Sequence, residues 1–211
     1  NDCTPPESNI TFLPDGDGDF YTTCVTVDCF EEGQTLEDIS QILDLCINIE
    51  HSWLGDLDII IISPDDRRTS LHTYPSGGST YLGGPIDTFA GDNDQGVGFD
   101  YCFSMTASTT LANGPTVNAG DPVGNSIAAG DYFPVESFAQ LLGSPLNGDW
   151  CLEIVDNLLQ DNGYIFSWDL NFDYSNVTTQ GSFTPEIVSG SWVGDEPTID
   201  EVNGDTITIS P

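Results

Sequence analysis

Leu45-Cys46-Ile47-Asn48-Ile49-Glu50-His51-Ser52-Trp53-Leu54-Gly55-Asp56-Leu57-Asp58-Ile59-Ile60-Ile61-Ile62-Ser63 is the stretch from which the fold of this chain is read. Large apolar residues at 45, 47 and 49 alternate with Cys46, Asn48 and Glu50, the period-two pattern of a strand with one buried and one wet face. Gly55 permits a turn that a side chain would obstruct, and Asp56 is suited to cap that turn by accepting from backbone amides. Ile59 to Ile62 are apolar at every position, which predicts a central strand covered on both faces.

Outward from that hairpin-like unit the same grammar recurs. β-branched and aromatic runs separated by Gly, Pro, Asn and Asp clusters predict strands at 21–30, 101–105, 150–155, 164–174 and 206–210. Trp168, Leu170 and Phe172 again alternate with Asp169 and Asn171. Helical signals are sparse. Residues 135–142, with Phe138, Leu141 and Leu142 at helical spacing before Gly143, predict one short helix, and 35–43 reads either as a capped helix or as an irregular strand. Residues 112–131, rich in Gly, Pro, Ala and Asn, read as a surface loop. The expected fold is all-β, a jelly-roll-like antiparallel β-sandwich over 1–180, with 181–211 as a C-terminal extension or a linker into a following domain. The chain is expected to be a segment of a longer protein.

The charge is extreme: 35 Asp plus Glu against 2 Lys plus Arg, a formal net charge of −33. Such a field disfavours nucleic acid and direct membrane insertion and calls for screening salt, which acts over ~8 Å at physiological ionic strength, or for bound cations. The 38% of hydrophobic residues still suffices for a sizeable core. Six cysteines, Cys3, Cys24, Cys29, Cys46, Cys102 and Cys151, lack the short paired spacings of a zinc site. They predict three disulfides in an oxidising compartment, with the pairing left open among 15 possibilities. Because three lie in the N-terminal part and three in or beside core strands, at least one bridge must join the two groups.

Calcium is the expected cofactor. In Asp15-Gly16-Asp17-Gly18-Asp19, carboxylates separated by glycines can turn several oxygens toward one ion, and calcium takes six to eight such ligands. The loop is not an EF-hand, because its sixth and twelfth positions hold Phe20 and Thr26. Asp92 with Asp94 forms a second candidate, and Asp56 or Asp58 a third that is equally readable as purely structural.

Two segments carry a family resemblance. The first is residues 47–64, with Glu50-His51-Ser52 and Gly55-Asp56-Leu57 running into Ser63-Pro64; the second is Asn147-Gly148-Asp149-Trp150, Asp156, Asp161-Asn162-Gly163 and Ser167-Trp168. Together they resemble the P domain of proprotein convertases over residues 12–174. Residues 12–19, 80–85, 100–103 and 162–168 more narrowly resemble P domains in large surface proteins of marine and gliding Bacteroidetes. That likeness implies type IX secretion, a cell-surface or extracellular setting, and neighbouring domains of the same polypeptide as partners. It also implies structural roles for His51, Gly55, Asp56, Trp150, Asp156, Asp161 and Trp168. The catalytic domain that precedes convertase P domains is not in this chain.

Catalysis is not expected. His51 and His72 are the only histidines, the first belongs to the motif, and the second, after Arg67 and Arg68, reads as exposed with no nucleophile beside it. The expected function is therefore a non-catalytic, calcium-binding module serving stabilisation, domain contacts or adhesion. The alternatives are an accessory domain of a subtilisin-like protease and a carbohydrate-binding module, in which Trp53, Tyr74, Tyr81, Tyr132 and Trp192 would stack on a cell-surface glycan.

Overall fold

The structure is a computed structural model describing residues 7–13, 20–86, 94–119, 124–159, 161–176, 199–203 and 206–209. It divides into two compact units, Asn1–Gln180 and Gly181–Pro211. In the second, β12 (Ile199–Asn203) and β13 (Thr206–Ile209) pair antiparallel. The first is a two-sheet sandwich. One sheet has the order β1 (Thr11–Phe12), β11 (Gly163–Phe172), β3 (Ile42–His51), β6 (Phe99–Phe103), β9 (Gly130–Tyr132). The other has the order β2 (Phe20–Val27), β10 (Gly148–Asp156), β4 (Leu57–Ile62), β5 (Arg68–His72). With β9 set aside, the eight strands follow the two-Greek-key order of a jelly roll, crossing between sheets at every step except the β4–β5 hairpin, as the sequence predicts. A ribbon of β7 (Thr116–Asn118) and β8 (Asn125–Ile127) stands apart from both.

The period-two pattern becomes the core directly. Leu45, Ile47 and Ile49 of β3 face inward with Trp168 and Leu170 of β11, opposite Val25 and Val27, Ile59 and Ile61, and Trp150, Leu152 and Ile154 of the other sheet. Each of these is at most 4% exposed, so burying a side chain of this size contributes about 1.5 to 3 kcal/mol. Trp150 donates its indole N–H to the Leu146 carbonyl at 3.0 Å, satisfying its one polar atom.

Four expectations change. Ile60 and Ile62 are half-buried, because β4 is covered only on the inner face of its sheet. The predicted helix at 135–142 is a single 3₁₀ turn, Phe138–Leu141, capped by Ser137 and closed by Gly143 at φ +88°. The stretch 35–43 holds the 3₁₀ turn Ile39–Gln41, with Asp38 and Gln41 forming a capping box, before β3 begins. The loop expected at 112–131 contains β7, β8 and the start of β9.

Cys24–Cys151 staples β2 to β10, and Cys46–Cys102 staples β3 to β6. Both lie on the outer faces of their sheets, across strands separated by 127 and 56 residues. The first joins the N-terminal cysteines to the core group, as parity requires. Cys29 is also disulfide-bonded, and Cys3 lies outside the described residues. Mass mapping without reduction is expected to return peptides joined through Cys24–Cys151 and Cys46–Cys102. Replacing both Cys24 and Cys151 with Ser should cost about 2 to 5 kcal/mol in denaturant unfolding, because it frees so long a loop in the unfolded chain.

Candidate functional site

Both motif segments are crossovers between sheets, at the same end of the sandwich. Residues 52–56 carry the chain from β3 to β4, and residues 157–162 carry it from β10 back to β11. The pairings Asp156↔Leu57 and Gly163↔His51 bring them side by side. A dense set of hydrogen bonds then locks one to the other. Ser52 N–H donates to the Asn162 carbonyl at 3.0 Å, the Ser52 hydroxyl donates to Asp161 at 3.1 Å, and Asn162 N–H donates to that hydroxyl at 3.1 Å. Asn157 donates from its backbone and its side chain to the Asp56 carbonyl, both at 2.9 Å, and from its side chain to Asp58 Oδ2 at 2.9 Å.

His51 is fully buried at the centre of this lock. His51 Nδ1 lies 3.1 Å from both the N–H and the carbonyl oxygen of Trp53. Its Nε2 bonds to Asp156 Oδ2 at 3.2 Å, and the other oxygen of Asp156 accepts from Leu158 N–H at 3.3 Å. The hydrogen-bonding partner of His51 is thus Asp156, contributed by the second motif segment. His72, read from sequence as exposed, is fully buried, and its Nε2 faces the Leu54 carbonyl at 3.2 Å. Burial lowers its pKa and keeps it neutral. Both histidines of the chain thus brace the same turn, the 3₁₀ segment Leu54–Asp56.

The glycines of the motifs are required by close approach. A Cβ on Gly55 would lie 2.9 Å from the Gly78 carbonyl oxygen, and one on Gly163 would lie 2.3 Å from the Glu50 carbonyl oxygen. Asp56 plays a different part from a turn cap. Its N–H closes the 3₁₀ turn on the Trp53 carbonyl, and its carboxyl, only 3% exposed as a residue, meets those of Asp161 and Asp156. Burial, then the charges of Asp161 and Asp156, push its pKa up to about 6, and a hydrogen bond with Asp161 holds a proton between the two.

Of the remaining metal candidates, Asp58 has both oxygens engaged, one by Tyr74 N–H at 2.9 Å and one by Asn157. Asp94 is exposed, while Asp15, Asp17, Asp19 and Asp92 lie outside the described residues. Among the described residues, one group of three metal-type side chains is close-set, Asp44, Cys46 and Asp169, with ligand atoms within 4.8 Å of one another. The bond to Cys102 leaves Cys46 without a thiolate, and Asn171 donates to both carboxylates, at 2.8 and 2.6 Å. Of the aromatic candidates, Tyr132 is core and donates to the Ala128 carbonyl, whereas Trp53 and Tyr74 are 38% and 41% exposed; Trp192 lies outside the described residues. Ser52, Asn157 and His72 carry no individual mark in the sequence. No protein-family model matches this chain, and no curated protein matches it.

Three outcomes follow from this geometry. His51→Ala should cost about 3 to 5 kcal/mol, because it strands the buried Asp156 carboxylate. Gly55→Ala should cost about 1 to 3 kcal/mol through its collision with the Gly78 backbone. Asp56 gives a pH signature. Between pH 4 and 6 the folded state keeps a proton that the unfolded chain, at the usual carboxyl pKa of 3.8, has released. Its contribution is therefore free of penalty below pH 4, and stability falls as pH rises through 6, by about 1 to 3 kcal/mol. In Asp56→Asn, urea titrations at a series of pH values should lose that downward slope.

Proposed function

We propose that this chain is a non-catalytic, P-domain-like module of a secreted or cell-surface multidomain protein, binding calcium and acting in structural stabilisation, contacts with neighbouring domains and adhesion. The observation that carries this reading is the lock between residues 51–58 and 156–163, in which the polar side chains of both motifs bond to each other. His51 has both nitrogens engaged, and the Ser52 hydroxyl is spent between Asp161 and Asn162. A histidine so committed supports a scaffold in preference to a hydrolytic centre.

The calcium reading rests on Asp15-Gly16-Asp17-Gly18-Asp19, whose alternating hard oxygen donors match the ion. A net charge of −33 gives any bound cation a large repulsion to relieve. The extracellular setting is supported by the disulfides, which persist in oxidising compartments. Among the described residues no helix is long and apolar enough to cross a membrane. The carbohydrate-binding alternative retains Trp53 and Tyr74 as half-exposed rings.

Calorimetric melting in calcium and in chelator, at matched ionic strength, tests the proposal. Calcium at a hundredfold excess over its dissociation constant should add ~2.7 kcal/mol, and Asp17→Asn should reduce that shift. Coincident midpoints, or a shift untouched by Asp17→Asn, would reject this loop as the site.

A further inference from the structure

A sheet edge is a row of unpaired amides and carbonyls, and stable proteins protect it with short strands, charge, bulges or a covering segment. Three of the four edges here follow that rule. β1 has two residues; β9 has three, including Asp131. β5 opens on Arg68, has a register shift against β4, and is covered by Val135 and Glu136, whose N–H groups donate to the Leu71 and Ser70 carbonyls. The fourth edge is β2, Phe-Tyr-Thr-Thr-Cys-Val-Thr-Val over Phe20–Val27: eight residues, no charge, no proline, and an unbroken register on β10. Among the described residues nothing bonds to its outer side.

The staple shows which amides point outward. In an antiparallel pair, opposed residues alternate between hydrogen-bonded pairs, with Cα atoms near 5.5 Å apart, and non-hydrogen-bonded pairs, near 4.5 Å. Cys24 and Cys151 are directly opposed with Cα atoms 4.0 Å apart, so theirs is a non-hydrogen-bonded pair. The N–H and C=O groups of Cys24, and by alternation those of Thr22 and Thr26, therefore face away from β10. These same residues have exposed side chains, as does Phe20 at 60%, whereas Val25 and Val27 are buried in the core.

We propose that the outer edge of β2 is a docking site for an extended segment of a partner protein, added as a fifth antiparallel strand, with apolar and basic residues in alternation. Its inward side chains would continue the core beside Thr23 and Val25. Its outward ones would lie over Thr22 and Thr26, close to Glu153 and Asp149, which oppose those two on β10. Charge selects the occupant. A second copy of this chain carries the same −33, so pairing of two β2 strands would bring two strongly acidic bodies together. A basic strand meets Asp149 beside Thr26 and Glu153, which Arg68 already pairs, beside Thr22, within the field of a strongly acidic body.

The test uses the intact chain and an eight-residue capped peptide alternating lysine with valine, beside a peptide of equal composition with its lysines and valines in separate blocks. The alternating peptide should bind saturably and slow hydrogen exchange at the Thr22, Cys24 and Thr26 amides, leaving Thr23 and Val25 unchanged. Thr22→Pro removes an outward donor without touching the β10 ladder, and Thr26→Lys adds like charge against the peptide; each should weaken binding about tenfold, the loss of about one hydrogen bond or contact. A fold change in Thr22→Pro, read by circular dichroism, leaves Thr26→Lys to decide. Equal binding of the block peptide, unaltered exchange at the three amides, or sedimentation showing a dimer abolished by Thr26→Lys would each overturn the proposal.

Discussion

Two neighbouring strands late in the chain complete both sheets. β10 lies between β2 and β4, and β11 lies between β3 and the short edge β1. Each sheet lacks an inner strand until residues 148–172 are in place. Within the two sheets this places every strand pairing except the β4–β5 hairpin at long sequence separation, the regime in which loop-closure entropy precedes any reward from contacts. It also explains the position of the two motifs. A chain that passes from sheet to sheet must cross at the ends, and the crossing after β3 and the crossing after β10 meet because their flanking strands are antiparallel neighbours. Hydrogen bonds from Ser52, Asn157 and His51 turn that proximity into a lock.

The lock has an electrostatic tension. Asp56, Asp156 and Asp161 approach one another in a protein with two cationic side chains besides its histidines, and Arg67 and Arg68 are already paired with Asp65 and Glu153. The His51 ring, the Ser52 hydroxyl, the Asn157 amide and backbone N–H groups therefore carry most of the compensation. Where donors do not suffice, as at Asp56, the carboxyl resists ionisation. The excess acid of the sequence thus reaches into the interior of the fold as well as over its surface.

Much of this was legible in the sequence for a definite reason. Strands β3, β4, β10 and β11 announce themselves because each alternates, or runs apolar, over at least six residues. β5 reads as an exposed strand because it follows Arg67, opens on Arg68 and ends on His72, which reads as solvent-facing until the turn at Leu54 supplies a buried acceptor. β7, β8 and β9 have three residues each, too short for a period. Phe138 and Leu141 sit three apart, a spacing that serves one 3₁₀ turn as well as an α-helix, and Gly143 ends both. For the site, Gly55 was visible because the turn requires glycine, whereas Gly163 entered only as part of the motif and its close approach to the Glu50 backbone shows in the structure. The pairing of His51 with Asp156 was not, because 105 residues separate them and register alone brings them together.

Edge protection and stapling converge on β2. An uncharged edge strand eight residues long is normally a hazard, prone to fray or to pair indiscriminately. Here Cys24 ties the middle of that strand to β10, and Thr26 donates its hydroxyl to Asp149 at 2.7 Å, so the row of outward amides is held in fixed geometry. Pairing with an acidic edge, including that of a second copy, is opposed by the field of the whole molecule, a body of −33. Rigidity and repulsion together suit an edge that is bare among the described residues, and a strand of opposite charge is the neighbour that both the hydrogen bonds and the electrostatics favour.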